Sequence, residues 1–133
     1  MTLIVPTSGE KVLLQSMLGQ APLASVNYHL YSNNWTPQRT DTISAYTELI
    51  LPGYALITVN PGSWTFSADS FGGSQATAPA ISWTCVGPGP CYGYYVTDPS
   101  NGIVLWAELL PGGPYNFLAG GSTLQVTPFI AGD

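Results

Sequence analysis

Three clusters of turn formers do most to limit what this chain can become: Asn60-Pro61-Gly62, Phe71-Gly72-Gly73-Ser74 and Asp98-Pro99-Ser100-Asn101-Gly102. Proline presets φ and glycine accepts positive φ, so each cluster forces a bend and limits the element before it. The runs between bends are short and rich in β-branched and aromatic residues. Residues 26–31, 53–59, 64–68, 80–86, 92–97, 103–108 and 123–129 read as strands. About seven short strands separated by Gly/Pro turns are the pattern of an all-β domain, an antiparallel β-sandwich or jelly roll.

Alternation supplies the faces. In residues 26–31, Val26, Tyr28 and Leu30 share one side, and Asn27, His29 and Tyr31 the other. Residues 92–108 form two apolar runs around the Asp98–Gly102 bend. Tyr92, Tyr94 and Val96 oppose Gly93, Tyr95 and Thr97; Ile103, Leu105 and Ala107 oppose Val104, Trp106 and Glu108. Both faces are apolar, which predicts a hairpin central to its sheet. As a calcium loop the bend is poor, because it lacks the several oxygen ligands and the closing Glu.

Before the β region, Thr7-Ser8-Gly9-Glu10 fits a capping box, with Thr7 as N-cap and Glu10 three residues on. Val12, Leu13, Leu14, Met17 and Leu18 follow at helical spacing, Gly19 is placed to end the helix, and Pro22 stops its continuation. The expectation is a helix over 8–18, with residues 1–22 as an N-terminal arm and 23–133 as a single β-sandwich domain. A helical turn is expected within 43–49.

Charge narrows the function classes. Charged residues are 7% of the 133, against about 25% in an average soluble domain. With a net charge of −5 and two cations, Lys11 and Arg39, the chain cannot line a phosphate backbone or hold an acidic membrane surface. The longest apolar runs are too short for a membrane-spanning helix. The start MTLIVPTSGEK lacks the basic and apolar regions of an export signal, so the expected location is the compartment of synthesis. So little charge also favours a chain whose surface is covered by other protein, in an oligomer or a lattice.

The chemistry-bearing residues do not assemble into a motif. His29 is the only histidine, it lies in a strand, and no GxSxG elbow accompanies it. Asp41, Glu48, Asp69, Asp98 and Glu108 are scattered over turns and strand ends, where solvated carboxylates normally sit. Two Cys and one His have no usual zinc spacing, and no glycine-rich phosphate loop precedes a helix. The reading is a non-enzyme with no cofactor and no metal. Cys85 and Cys91 flank Val-Gly-Pro-Gly-Pro; a hairpin there would bring them within disulfide range, while a reducing compartment would keep them as thiols. Asn34-Trp35-Thr36 matches a glycosylation sequon, which has no meaning without export.

One resemblance goes beyond composition. LYSNNWTPQRTDTISAYTELILPGYALITV, residues 30–59, carries an LxxNNxTP strand end followed by Asp41, Tyr46-Thr47-Glu48 and Gly53-Tyr54-Ala55. With YGYYVTDPSNGIVLWAE, Gly121, Leu124 and Val126-Thr127-Pro128, this pattern resembles small virion-associated β proteins of tailed bacteriophages, a capsid decoration or cement-like family. It covers most of residues 30–128 and carries over no catalytic or ligand residue; Cys85 to Cys91 departs from it.

The resemblance implies a capsid decoration protein in the virion, assembled in the host cytoplasm. It would self-associate as a homotrimer, bind the major capsid protein on the outer face of the shell and clamp neighbouring capsomers. Residues 1–22 would reach a neighbouring subunit or close one end of the sandwich. The alternative is a tail or fibre module gripping a host glycan, with Trp35, Tyr46, Trp64 and Tyr115 as stacking aromatics.

Overall fold

Residues 3–21 and 23–131 are described by the computed structural model; Pro22, expected to stop the helix, lies outside them. In chain order the elements are β1 (Leu3–Ile4), α1 (Thr7–Met17), β2 (Val26–Tyr31), β3 (Ile57–Val59), β4 (Thr65–Ala68), β5 (Ser74–Thr77) and β6 (Ile81–Cys85). There follow β7 (Gly89–Cys91), β8 (Gly93–Thr97), β9 (Val104–Leu109), β10 (Tyr115–Phe117), β11 (Ser122–Val126) and β12 (Phe129–Ala131). The pairings are antiparallel, and the fold is all-β and sandwich-like.

The apolar alternation of β2 and β8 decides the architecture. These strands sit inside a five-stranded sheet of order β1-β9-β8-β2-β3. One face presents Tyr28, Leu30, Tyr94, Val96 and Trp106 to an opposing layer made of the β6–β11 and β7–β10 pairs, which contribute Ile81, Trp83, Phe117, Leu124 and Val126. The other face carries Tyr31, Tyr95, Val104 and Ala107, and Tyr46 from the segment after β2 packs over it. The sheet is therefore buried on both sides, which matches the two-sided apolar character of residues 92–108.

The bend between β8 and β9 is a turn, as expected. Gly102 has φ 68° and its N–H donates to Asp98 O at 2.8 Å, while the Asp98 carboxylate accepts from Ser100 N at 3.0 Å. Strict alternation along β9 fails, however. The register runs Val96 to Trp106 but Thr97 to Val104, so Leu105 is an extra residue in the strand. This bulge places Val104 and Trp106 on opposite faces, where simple alternation puts them together.

The expected strands resolve into more, shorter ones. Residues 53–59 shrink to β3 because Gly53, at φ 87°, turns the chain, and Tyr54 N–H donates to Leu51 O at 3.0 Å. Residues 43–49 hold one short helical turn, Ile43–Ala45, before a single bridge joins Glu48 to Tyr31. The strands β5, β7, β10 and β12 have three or four residues each, too few for a period to stand out. β4, β5 and β12 form a separate sheet of order β12-β5-β4.

At the N-terminus two expectations are corrected. Pro6, not Thr7, is the N-cap, with no side-chain cap bond. The capping box does not close because Arg39 takes both its members: Thr7 Oγ1 donates to Arg39 O at 3.3 Å, and Arg39 Nη2 meets Glu10 Oε1 at 2.6 Å. Nor do the described residues of 1–22 stand apart as an arm. β1 pairs with β9, Leu3 opposite Glu108 and Ile4 opposite Ala107, and α1 lies against β9 at Gly9. A Cβ on Gly9 would come within 2.5 Å of Val104 O.

That approach is backbone on backbone, so nothing at the contact can rotate away. Gly9→Ala should lower unfolding stability by about 2 kcal/mol, read from the urea midpoint. Gly62→Ala, with open space around the added Cβ, serves as the control; equal midpoints for the two would show that α1 is not seated on β9.

Candidate functional site

The motif residues of the segment after β2 converge on one carboxylate. Asp41 is buried, and its Oδ2 accepts from Trp35 Nε1 at 2.9 Å, Gln38 N at 2.8 Å and Tyr46 OH at 2.8 Å. Asn33 ties the same segment, donating to Ala45 O at 2.9 Å and accepting from Thr47 N at 2.8 Å. Tyr46 is thereby laid flat on Tyr95, with ring centroids 4.8 Å apart, and edge-on to Tyr31. The arrangement holds a loop onto the sheet. It leaves no open face of Tyr46 for a sugar, so the glycan-stacking role expected of Tyr46 is not met.

His29 sits beside this stack in a carboxylate–imidazole–hydroxyl line. Its Nδ1 is 2.7 Å from Glu48 Oε2 and its Nε2 2.9 Å from Thr97 Oγ1. The roles resemble those of a nucleophile triad, but access is missing. Thr97 is 3% exposed, the His29 ring is stacked on Tyr95 at 4.6 Å, and Glu48 Oε2 also accepts from Tyr54 OH at 2.7 Å. The line satisfies buried polar groups between β2, β8 and the loop. Glu48 and Thr97 are far from His29 in sequence, which is why no motif announced them.

The carboxylates expected at solvated positions are partly inside. Asp41, Asp98 and Glu108 are buried, and Glu108 accepts a hydrogen bond from Tyr94 OH. Among the described residues no three His, Cys, Asp or Glu are grouped to hold a metal, and no helix is long and apolar enough to cross a membrane.

Cys85 and Cys91 are both free and buried. The hairpin expected to join them does not form: Cys85 lies opposite Ser122 and Cys91 opposite Tyr115, so the strands on either side of Val-Gly-Pro-Gly-Pro pair with different partners. Burial pushes the Cys91 thiol up to about 12 and raises Cys85 as well, which disfavours the reactive thiolate at both.

The other expected aromatics are dispersed. Trp35 is held by Asp41, Tyr115 packs edge-on to Phe117 and donates to Thr123 O at 3.0 Å, and Trp64 packs edge-on to Trp106. Two cavities are more promising than any of these. One, of about 290 Å³, lies between α1, β3 and the β12-β5-β4 sheet and is walled by Trp64 and Trp106. The other, about 740 Å³, opens beside Asn34, Thr36, Tyr92 and Leu109.

Sequence reasoning missed the apolar surface around the smaller cavity. Phe66, Ala76 and Ile130 lie side by side across β4, β5 and β12 and line it. Phe66 is 78% exposed, and Leu14 and Met17 on α1, with Leu18 just after it, also face solvent, Met17 at 81%. The helix periodicity was visible, but not that its partner surface would be incomplete. No protein-family model, curated protein or solved structure matches the chain.

Two tests follow from the loop's anchoring. Asp41→Ala strands three donors, two of them on half-buried or buried rings, and should cost about 3 kcal/mol by denaturant unfolding; a loss below about 0.5 kcal/mol would show the loop is held by packing alone. Burial, reinforced by Asp41, Glu48 and Glu108, raises the phenols of Tyr28, Tyr31, Tyr46, Tyr54, Tyr94 and Tyr95. An unfolded tyrosine ionises near about pH 10, so above that pH the folded state keeps protons the unfolded chain has lost. Stability should be fully present below about pH 10 and fall as pH rises past it. Phenolate absorbance should then appear together with unfolding; ionisation of these rings in a fully folded protein would refute the account.

Proposed function

We propose that this chain is a capsid decoration protein of a tailed bacteriophage. It binds the outer face of the shell through the major capsid protein, self-associates as a homotrimer and stabilises contacts between capsomers without catalysis. The observation that carries the proposal is the number of large apolar side chains left exposed, Phe66 and Phe71 at the β4–β5 hairpin, Leu14 and Met17 on α1, and Leu18 just after it. A free monomer rarely leaves so many large apolar groups open to water; their number favours cover by another protein. The low charge and the resemblance of residues 30–128 to virion proteins favour a shell as that partner.

A second reading, a tail or fibre module for a host glycan, draws support from the larger cavity. Its volume suits a sugar, and Asn34, Thr36 and Tyr92 on its wall supply the mix of amide, hydroxyl and aromatic groups that carbohydrate binding uses. None of Trp35, Tyr46, Trp64 and Tyr115 lines that cavity.

Copy number in purified particles separates the two readings. A decoration protein should stand at one copy per major capsid protein or a simple fraction of it, and stripping it should lower the particle's heat resistance. Phe66→Ser combined with Met17→Ser should reduce occupancy roughly ten-fold or more, the loss of two apolar anchors. A few copies per particle would move the assignment to the tail, and absence from the particle would refute both readings.

A further inference from the structure

β4 ends the β12-β5-β4 sheet on one side, and the hydrogen-bond phase of the ladder defines its open edge. Asp69 N–H donates to Gly73 O at 2.9 Å, one step beyond the Ala68–Ser74 pair of β4 and β5. Bonded pairs alternate along an antiparallel ladder, so Ser67–Gln75 and Thr65–Thr77 are bonded while Phe66 and Ala68 face away from β5. The far side of β5 has the matching phase. Ala78 N–H donates to Pro128 O at 2.9 Å, which gives Ala76 to β12 and leaves Gln75 and Thr77 for β4. The N–H and C=O groups of Phe66 and Ala68 therefore point out of the sheet edge, with no hydrogen-bond partner among the described residues.

β4 is exposed along its whole length. An open edge is a template for another strand, and proteins that keep one in water blunt it with lysine, proline or a bulge. β4 has none of these: it reads Thr-Phe-Ser-Ala, its ladder shows no register shift, and the chain carries no charge from Leu49 to Ala68. Unmet backbone groups in extended geometry specify the chemistry of the occupant, which is a further extended strand. We propose that β4 pairs antiparallel with β4 of a second copy of this chain, about a two-fold axis at Ser67. Phe66 and Ala68 of one copy bond Ala68 and Phe66 of the other, so the two sheets join in the order β12-β5-β4-β4-β5-β12. Centring the axis on Phe66 or Ala68 instead leaves half of these groups without a β4 partner. The side chains suit the register. Phe66 lies across from Ala68 of the second copy, small enough to admit the ring, and Ser67 meets its own counterpart. Asp69, the nearest charge, falls opposite Thr65 of the second copy, so like charges are not opposed. A two-fold contact does not build the proposed trimer; within a shell it links one trimer to the next. It uses the sheet edge, leaves the sheet faces open for docking, and stands without the decoration role.

Cysteine cross-linking of the full chain tests the pairing, with the unsubstituted protein, whose Cys85 and Cys91 are buried, as background. Across a non-bonded antiparallel pair the Cα atoms stand about 4.5 Å apart, within disulfide reach. Ser67→Cys, oxidised with copper phenanthroline, should therefore run as a linked dimer on a non-reducing gel. Thr65→Cys lies on the same face but about 14 Å from its counterpart, and should give about ten-fold less dimer. Proline at either outward position removes an edge donor and spares the β4–β5 bonds. Added to Ser67→Cys, Ala68→Pro or Phe66→Pro should cut the dimer about ten-fold, and one serves if circular dichroism shows the other unfolded. Ser67→Cys dimer no greater than that of Thr65→Cys, or undiminished dimer in a folded proline variant, overturns the proposal. So does a Ser67→Cys cross-link to the major capsid protein in place of the dimer.

Discussion

Burial of both faces of the β9-β8-β2 core is the constraint on which the rest of this structure depends. A sheet covered on one side can leave its polar alternates in water. Here Tyr31, His29, Tyr95 and Thr97 point to the second face, and each polar atom they carry must be satisfied inside the protein. Asp41 and Glu48 do much of this, with Tyr46 as the ring that closes the layer. The acidic groups are thus spent on internal donors, and the scarcity of surface charge is partly a consequence of where the few carboxylates went.

The same economy shows at the ends of the chain segment that precedes the sheet. Arg39 is one of two cations, and although its side chain is exposed, its backbone oxygen accepts from Thr7 and its guanidinium pairs with Glu10. It couples the start of α1 to the loop that Asp41 holds, so the helix, the loop and the second face of the sheet share one set of contacts. Outside this unit the β12-β5-β4 sheet is poorly covered. β4 is exposed along its whole length, and its Phe66 meets water on one side and a cavity on the other. A buried centre whose second face is tied down by Asp41 and Glu48, carrying an apolar, incompletely covered flank, is the physical division on which the proposed assembly role draws.

Much of the fold was legible because it is written in local signals. The turn at Asp98–Gly102 follows from proline and glycine chemistry, and the two-sided apolar character of residues 92–108 correctly put that hairpin inside its sheet. Strands of three residues, such as β7 and β10, have no period to read. The bulge at Leu105 left no mark, since an extra residue in an apolar run looks like any other. The capping box at Thr7 was a sound local pattern overruled by Arg39, a residue far along the chain. Of the expected site residues, Tyr46 went into the core and Cys85 and Cys91 went to different strand pairs.

By itself, then, the sequence determined the β class, the central hairpin, the helix and its glycine end, and the shortage of charge, because each depends on residues within a turn or two of one another. Only the tertiary structure decided which carboxylates are buried, that His29 lies between Glu48 and Thr97, that Cys85 and Cys91 sit in strands with different partners, and that Trp64 and Trp106 line a groove beside Phe66. Those outcomes depend on register and pairing between strands tens of residues apart. A one-residue shift in such pairing exchanges the two faces without altering any local pattern.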